Sequence, residues 1–372
     1  MLGYNIYIYI YIYYLAMRLL NLFRKYITYI LIILVVITVF YYNVFLIQHQ
    51  EIVQEGMNNN TGRTWNLVDE KYNFLKDDKQ WGGGLGVACN GQMCIVVGIV
   101  RDGGGSCMAY SKNGKEWTIN DNVKAALNSI TGIAYDGGAK FWVAVGYNTK
   151  NGNNIATSDD GITWAGFKAN CFDQTCAVAA WGAKFIIVGK GSSSIAWMKN
   201  KGSVNPMGKL IFEKGLGVAR SKENWVAVGW KGNGKASIGY SKNGDDTWTA
   251  VTDSTKILNQ GNGIACKDNI CCAVGQNDNV NTMAISKDSG VTWTGLGKKI
   301  FDEGKSVNWN GKNWIATGSK AGKGVIAYST DAENWTVATP SSSSFNTINS
   351  AACNNTFCAA VGQGRHSILY GT

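Results

Sequence analysis

The segments that follow a recurring Val-Gly or Thr-Gly hold most of the residues able to grip a ligand. They read GIVRDGGGS, GYNTKNGNN, GKGSSS, GWKGNGKAS, GQNDNVN, GSKAGKG and GQGRHS. Their charges are Arg101, Lys150, Lys190, Lys231, Lys235, Lys320, Lys323 and Arg365 against Asp102 and Asp278 alone. Tyr147 and Trp230 add flat aromatic faces among them. Cations concentrate an anionic partner through their field, and an aromatic face gives a ring something to lie on. The carboxylates near these segments are Asp102, Asp173, Asp278, Asp302 and Glu303, and glycoside hydrolysis needs two carboxylates about 5–10 Å apart. Only two histidines are present, His49 and His366, which leaves little for a zinc centre or a His-based triad. Neither a metal nor a cofactor is expected.

The elements that must carry these segments form a repeat. The glycines closing the apolar strands are Gly98, Gly146, Gly189, Gly229, Gly275, Gly318 and Gly362, at spacings of 48, 43, 40, 46, 43 and 44 residues. Such periods belong to four-stranded propeller blades. Each unit opens with a small-residue strand (LGVAC, TGIAY, LGVAR, NGIAC) suited to the crowded centre of a ring. A hairpin leads to an apolar second strand such as WVAVG, and a third such as SIGYS or VIAYS follows. The 372-residue chain has 46 glycines, two prolines and a formal charge of +10, so its turns rest on Gly, Asn, Asp and Ser. The prediction is all-β: a seven-bladed β-propeller over 61–372. The last unit stops after its third strand at SILYGT, and TGRTWNLV (Thr61–Val68) supplies the missing outer strand, closing the ring without an exposed edge.

After five of the seven third strands comes a turn with its own chemistry, while WMKNKGSV (Trp197–Val204) in the third unit holds the position without its Ser or Asp. The fullest copy is SKDSGVTW, with Ser286, Asp288 and Trp293. The others are SKNGKEW (Ser111, Asn113, Trp117), SDDGITW (Ser158, Asp160, Trp164), SKNGDDTW (Ser241, Asn243, Trp248) and STDAENW (Ser329, Asp331, Trp335). The Asp or Asn side chain bonds nearby backbone N–H groups, glycine takes the positive φ, and the Trp enters an apolar slot. The pattern resembles the Asp-box (BNR) repeat of sialidase-like β-propellers. That resemblance implies that the boxes are structural and lie on the face away from the ligand. The cationic segments, joining second to third strands, would then share the opposite rim. It does not imply a sialidase. Those enzymes clamp a carboxylate with three arginines. This region offers only Arg63, Arg101, Arg220 and Arg365, of which Arg63 and Arg220 map away from the rim.

Four cysteine pairs share a C-x4-C spacing: Cys89/Cys94, Cys171/Cys176, Cys266/Cys271 and Cys353/Cys358. Four residues before the repeat glycine stands Cys94, Trp142, Phe185, Trp225, Cys271, Trp314 or Cys358. Where that slot is Cys, the residue five earlier is Cys too. Facing residues of a hairpin lie within disulfide reach, so all four pairs are expected as disulfides, with free buried thiols the alternative. Cys107 and Cys272 are read as buried thiols. Disulfides accord with an oxidising compartment.

The first 16 residues contain a strict Ile/Tyr alternation (YNIYIYIYIYY), a β-prone run or a translated low-complexity stretch, with Met17 an alternative start; 1–25 is read as a cytoplasmic tail. Residues 26–48 carry no charge and have the length of a membrane span. Cations precede the span and Glu51 and Glu55 follow it, so a type II signal anchor is expected, with 49–60 as linker and the propeller outside the cytoplasm. Three sequons (Asn59, Asn334, Asn354) matter only in a secretory pathway. The expected role is binding or adhesion toward an anionic glycan or a protein, with a glycoside hydrolase on the same scaffold as the alternative. Cationic loops in that compartment point away from nucleic acid.

Overall fold

The computed structural model describes residues 13–27, 62–72, 83–99, 107–207, 211–234, 236–277, 280–338 and 344–371. The chain divides into two compact units, Met1–Asn58 and Asn59–Thr372. In the first, residues 13–27 are helical. This corrects the β-prone reading where that stretch begins, because Leu15–Leu20 is made of strong helix formers. No helix among the described residues is long and apolar enough to cross a membrane. Residues 28–48 of the expected span and the 49–60 linker lie outside the described residues, as do Arg101, Asp102, Lys235 and Asp278.

The second unit is all-β, built from antiparallel four-stranded sets. Their first strands are Gly83–Cys89, Ser129–Asp136, Gln174–Trp181, Lys214–Arg220, Gln260–Lys267, Glu303–Trp309 and Phe345–Cys353; we number the sets 1 to 7 in that order. Single residue pairs, Ile99↔Ser129 and Trp230↔Gln260, tie set 1 to set 2 and set 4 to set 5. The strand Trp65–Leu67 completes set 7, pairing Trp65↔Gly371 and Leu67↔Leu369. The apolar core lies between neighbouring sets, where Val, Ile and Ala of one second strand meet those of the next. One such cluster, with Val87, Val96, Phe357 and Val361, joins the first set to the last.

Each first strand carries a β-bulge at the same place. The unpaired residues are Leu85, Thr131, Cys176, Leu216, Asn262, Lys305 and Asn349. Beside the bulge stands the repeat glycine, and the reason it is glycine is steric. A Cβ at Gly146 or Gly275 would lie 2.0 Å from the carbonyl oxygen of Ser129 or Gln260, and the other five would meet the equivalent oxygen at 2.1–2.3 Å. Several bulge side chains reach round the ring. Thr131 donates to the Thr175 carbonyl (2.9 Å), Asn262 to that of Gly304 (2.8 Å) and Asn349 to that of Gly84 (2.8 Å), the last linking the end of the chain to its beginning.

The hairpin slot anticipated in the sequence is one register position with several solutions. Cys89–Cys94, Cys266–Cys271 and Cys353–Cys358 are disulfides. In the same place Tyr135 packs on Trp142 (4.8 Å between rings), Trp309 on Trp314 (5.4 Å), and the Arg220 guanidinium sits 5.9 Å over Trp225. Cys171 and Cys176 are not bonded, a correction to the fourth expected disulfide. Cys171 precedes the first strand of its set and Cys176 occupies the bulge, so the two do not face each other across a hairpin. Cys107 and Cys272 are buried thiols, and burial pushes Cys107 up to about 12.

Candidate functional site

Two faces bound the ring, and they are built differently. On one, the turns after the third strands share one set of bonds. The Ser158 hydroxyl donates to Asp160 (2.9 Å) and accepts from the Gly161 N–H (2.8 Å). The Asp160 carboxylate also accepts from the N–H groups of Ile162 and Thr163, and the Trp164 indole N–H returns to the Gly161 carbonyl at 3.1 Å. The turns at Ser111, Ser286 and Ser329 repeat this, with the indoles of Trp117, Trp293 and Trp335 donating to Gly114, Gly290 and Ala332. Ala332 stands where glycine is usual and adopts φ of +64°. At Ser241 the sequence reading needs correcting: its hydroxyl bonds Asp246, not Asn243, which itself donates to Asp246 at 2.8 Å. Partial burial works against charge on Asp160, but the N–H donors and the Ser158 hydroxyl outweigh it and hold the carboxyl at about 2. For Asp331 burial is likewise outweighed, by donors from Asn334 and Glu333, and its carboxyl falls well below the ordinary range.

On the opposite rim the repeat positions differ. The residue after each repeat glycine is Ile99, Tyr147, Lys190, Trp230, Gln276, Ser319 or Gln363, paired with Gly83, Ser129, Gln174, Lys214, Gln260, Glu303 or Thr347. Sets 3 to 5 combine these into a cleft of about 430 Å3 lined by Asp173, Gln174, Lys190, Lys214, Leu216, Trp230 and Gln260. Lys190 and Trp230 were anticipated, and Asp173 was among the candidate carboxylates. Lys214, Gln174 and Gln260 were not, although each stands two residues before a bulge, the signal that would have found them. Trp230 is 43% exposed, and Tyr147, at 41%, lies outside the cleft.

Glu213 organises this cleft. Its carboxylate accepts from Lys190 Nζ (3.3 Å) and the Asn233 N–H (3.1 Å), while its own N–H donates to the carbonyls of Trp230 and Lys231 (both 3.2 Å). Bonds from Asn233 and Lys190 hold its carboxyl below the usual range. Gly232 adopts φ of +48°, and a Cβ there would lie 2.1 Å from the Glu213 carboxylate, so the loop bearing Trp230 is shaped around that side chain.

The other anticipated cations spread around the rim. Lys150 and Lys231 are exposed on their loops, and Lys323 is exposed and paired in register with Lys320. Lys320 donates to the Lys299 carbonyl. Arg365 stands 3.8 Å from Glu70. The connections from fourth to first strands bring Glu70, Asp121, Glu213 and Asp253 to ion pairs with Arg365, Lys124, Lys190 and Lys256. Of these pairs, those of Arg365 and Lys190 engage cations of the second-to-third loops, whereas Lys124 and Lys256 pair within the fourth-to-first connections themselves. Asp302 accepts from the Ala321 N–H and Glu303 from Asn262 and Lys305, so neither stands in the cleft with Asp173.

No family model matches this chain, and no curated protein matches it. Solved structures do. The GH74 xyloglucanase from Xanthomonas campestris superposes with a TM-score of 0.54 at 13% identity, over 78% of this chain and 43% of that one. This chain thus spans less than half of that enzyme. YCF48 from Cyanidioschyzon merolae gives 0.54 at 13%, covering 83% and 98%, and the WD40 propeller domain of Doa1 gives 0.53 at 12%, covering 83% and 97%. The fold is a β-propeller.

Proposed function

We propose that this protein is a binding or adhesion module: a seven-bladed propeller with Asp-box turns on one face and a glycan cleft on the other. One observation carries the reading. Among rim positions that differ from set to set, Lys214 and the exposed Trp230 meet in a single cleft with the amides of Gln174 and Gln260, beside Asp173 and a Lys190 paired with Glu213. Lys214 draws a carboxylate or sulfate, amides bond hydroxyls, and the indole stacks on a sugar ring. A protein ligand is the other partner this chemistry allows. We further propose that residues 26–48 anchor the propeller outside the cytoplasm, as their lack of charge and the flanking charges support. Three hairpin disulfides accord with that compartment. After alkaline washing the full chain is expected to stay with membranes; release into the supernatant would refute the anchor.

The alternative is a glycoside hydrolase. It is favoured by the Asp173 carboxylate in the cleft and by the likeness in fold to a xyloglucanase. It is weakened by Glu213, whose carboxylate is engaged by Lys190 and Asn233. The test of both is an array of neutral, sialylated and sulfated glycans probed with the full-length chain at low and physiological salt. Retention of anionic glycans that fades with salt supports binding. Consumption of a retained sugar supports the hydrolase. A blank array at both salts removes the glycan reading and leaves the protein ligand.

A further inference from the structure

The bore of the ring forms a second cavity of about 180 Å3, lined by first strands of every set and meeting the cleft at Leu216. Its lining varies in chemistry from set to set. At the bulge positions Leu85 and Leu216 contrast with Asn262, Lys305 and Asn349, beside which stand Ser306, Asn308 and Ser350; two residues on from the bulges a band of Val87, Ile133, Val178, Val218, Ile264 and Val307 runs through six of the seven sets. The polar residues present no unpaired charge. Lys305 Nζ lies 2.6 Å from the Glu303 carboxylate, which also accepts from Asn262 at 3.1 Å. The amide nitrogens of Asn308 and Asn349 are committed to the carbonyls of Ala351 (2.6 Å) and Gly84 (2.8 Å). That leaves their amide oxygens as acceptors beside the hydroxyls of Ser306 and Ser350. An engineered cavity of about 150 Å3 holds one benzene, so the bore has room for a single six-membered ring.

We propose that the bore is a binding site for one neutral, hydroxylated six-membered ring, a pyranose whose apolar face lies on the Val87, Ile133 and Val178 arc of the aliphatic band, facing the polar residues of sets 6 and 7. Its hydroxyls donate to Asn308 and Asn349 and exchange bonds with Ser306 and Ser350. An anionic sugar is disfavoured there, because an uncompensated charge taken out of water needs a partner and the one cation is already paired. The sugar class rests on the glycan reading of the cleft; the cavity and its lining do not. Because Leu216 lines both cavities and the bore has room for one ring, the bore accepts the end of a chain while the cleft holds the preceding, charged part.

The experiment titrates the full-length chain with free methyl pyranosides of neutral hexoses and with a methyl uronoside, by calorimetry and saturation-transfer NMR, at two salt concentrations. A neutral pyranoside is expected to bind with no change between the salts. Ser350→Leu fills the bore and should weaken that binding at least about tenfold, whereas Lys190→Ala leaves it alone. Should Ser350→Leu fail to fold, Ser306→Ala removes a hydroxyl without adding bulk and should weaken binding severalfold. The proposal is overturned if no neutral pyranoside binds, if the uronoside binds better, or if Lys190→Ala abolishes binding that both serine variants keep. Anionic glycans retained on the array without pyranoside binding sink the bore alone. Pyranoside binding with a blank array sinks the cleft alone.

Discussion

The two faces of the ring contain comparable numbers of turns, yet only one repeats itself. On the face of the third-to-fourth turns, four turns carry the same serine, carboxylate or amide, and indole in the same bonds, and the fifth, at Ser241, reaches the same end through Asp246. On the rim, the equivalent positions are an isoleucine, a tyrosine, a lysine, a tryptophan, two glutamines and a serine. Repetition is what a fold requires, because each set must make the same bend and cover the same edge. A ligand is met once, and the residues that meet it have no reason to recur. Shape is therefore to be sought where the copies agree, and function where they part.

Perturbing the repeated positions should cost stability, and perturbing the unrepeated ones should not. The sharpest break is Gly275→Ala. Its Cβ would stand 2.0 Å from the Gln260 carbonyl oxygen, so the strand pair at the bulge must separate. The expected loss is roughly 3 kcal/mol or more by chemical denaturation, and a near-neutral result would refute the steric reason for the glycine.

The slot gives the next effect. Replacing Cys266 and Cys271 together by alanine should cost about 2 kcal/mol, whereas Cys171→Ala should cost little from loss of a cross-link, because that thiol is unbonded. Alkylation of the unfolded chain before reduction should modify Cys107, Cys171, Cys176 and Cys272 and spare Cys89, Cys94, Cys266, Cys271, Cys353 and Cys358. Labelling of Cys171 and Cys176 only after reduction would restore the fourth disulfide.

A single residue of these turns should matter less. Asp331→Ala removes the acceptor for two backbone N–H groups and should cost about 1–2 kcal/mol in denaturation. The charge itself is testable at Asp160, whose carboxyl lies at about 2 in the fold against roughly 3.9 when unfolded. A depressed folded value means the contribution is complete above the unfolded value and lost as pH falls through the folded one. Unfolding followed between pH 5 and 2 should show a shallower acid decline in Asp160→Asn than in the parent chain.

The smallest change in stability should come from the rim. Trp230→Ala, at a half-exposed site, is expected within about 0.5 kcal/mol of the parent while losing roughly tenfold in glycan affinity, read by titration. If Trp230→Ala instead destabilises as a variant of those turns does, the contrast between the faces fails.

Much of this architecture is legible in the sequence because it follows from local rules repeated along the chain. A glycine where no Cβ fits, a turn closed by serine and aspartate, and a slot filled by Cys–Cys or by an aromatic each leave a mark at a fixed spacing. The pairing of Trp65–Leu67 with Ile368–Gly371 is announced by a last unit one strand short. Where the local rule is bent, the sequence misleads. The Ser241 turn has one residue more between its glycine and its Trp, so Asp246 takes the place expected of Asn243, and the spacing of Cys171 and Cys176 matches the other pairs although Cys176 sits in a bulge and Cys171 precedes the strand. The cleft belongs to the tertiary structure alone. Gln174, Lys214 and Gln260 lie about 40 residues apart in sequence; the repeat marks them as equivalent positions, but nothing in it singles out these three until the ring brings their strand starts together. Charge behaves likewise: the second-to-third loops carry their cations in plain view, but whether a cation is available depends on Glu70 and Glu213, which arrive from other connections. Periodic constraints act within a set and are written in it; a single converging site is set by the angle between sets, which no one set encodes.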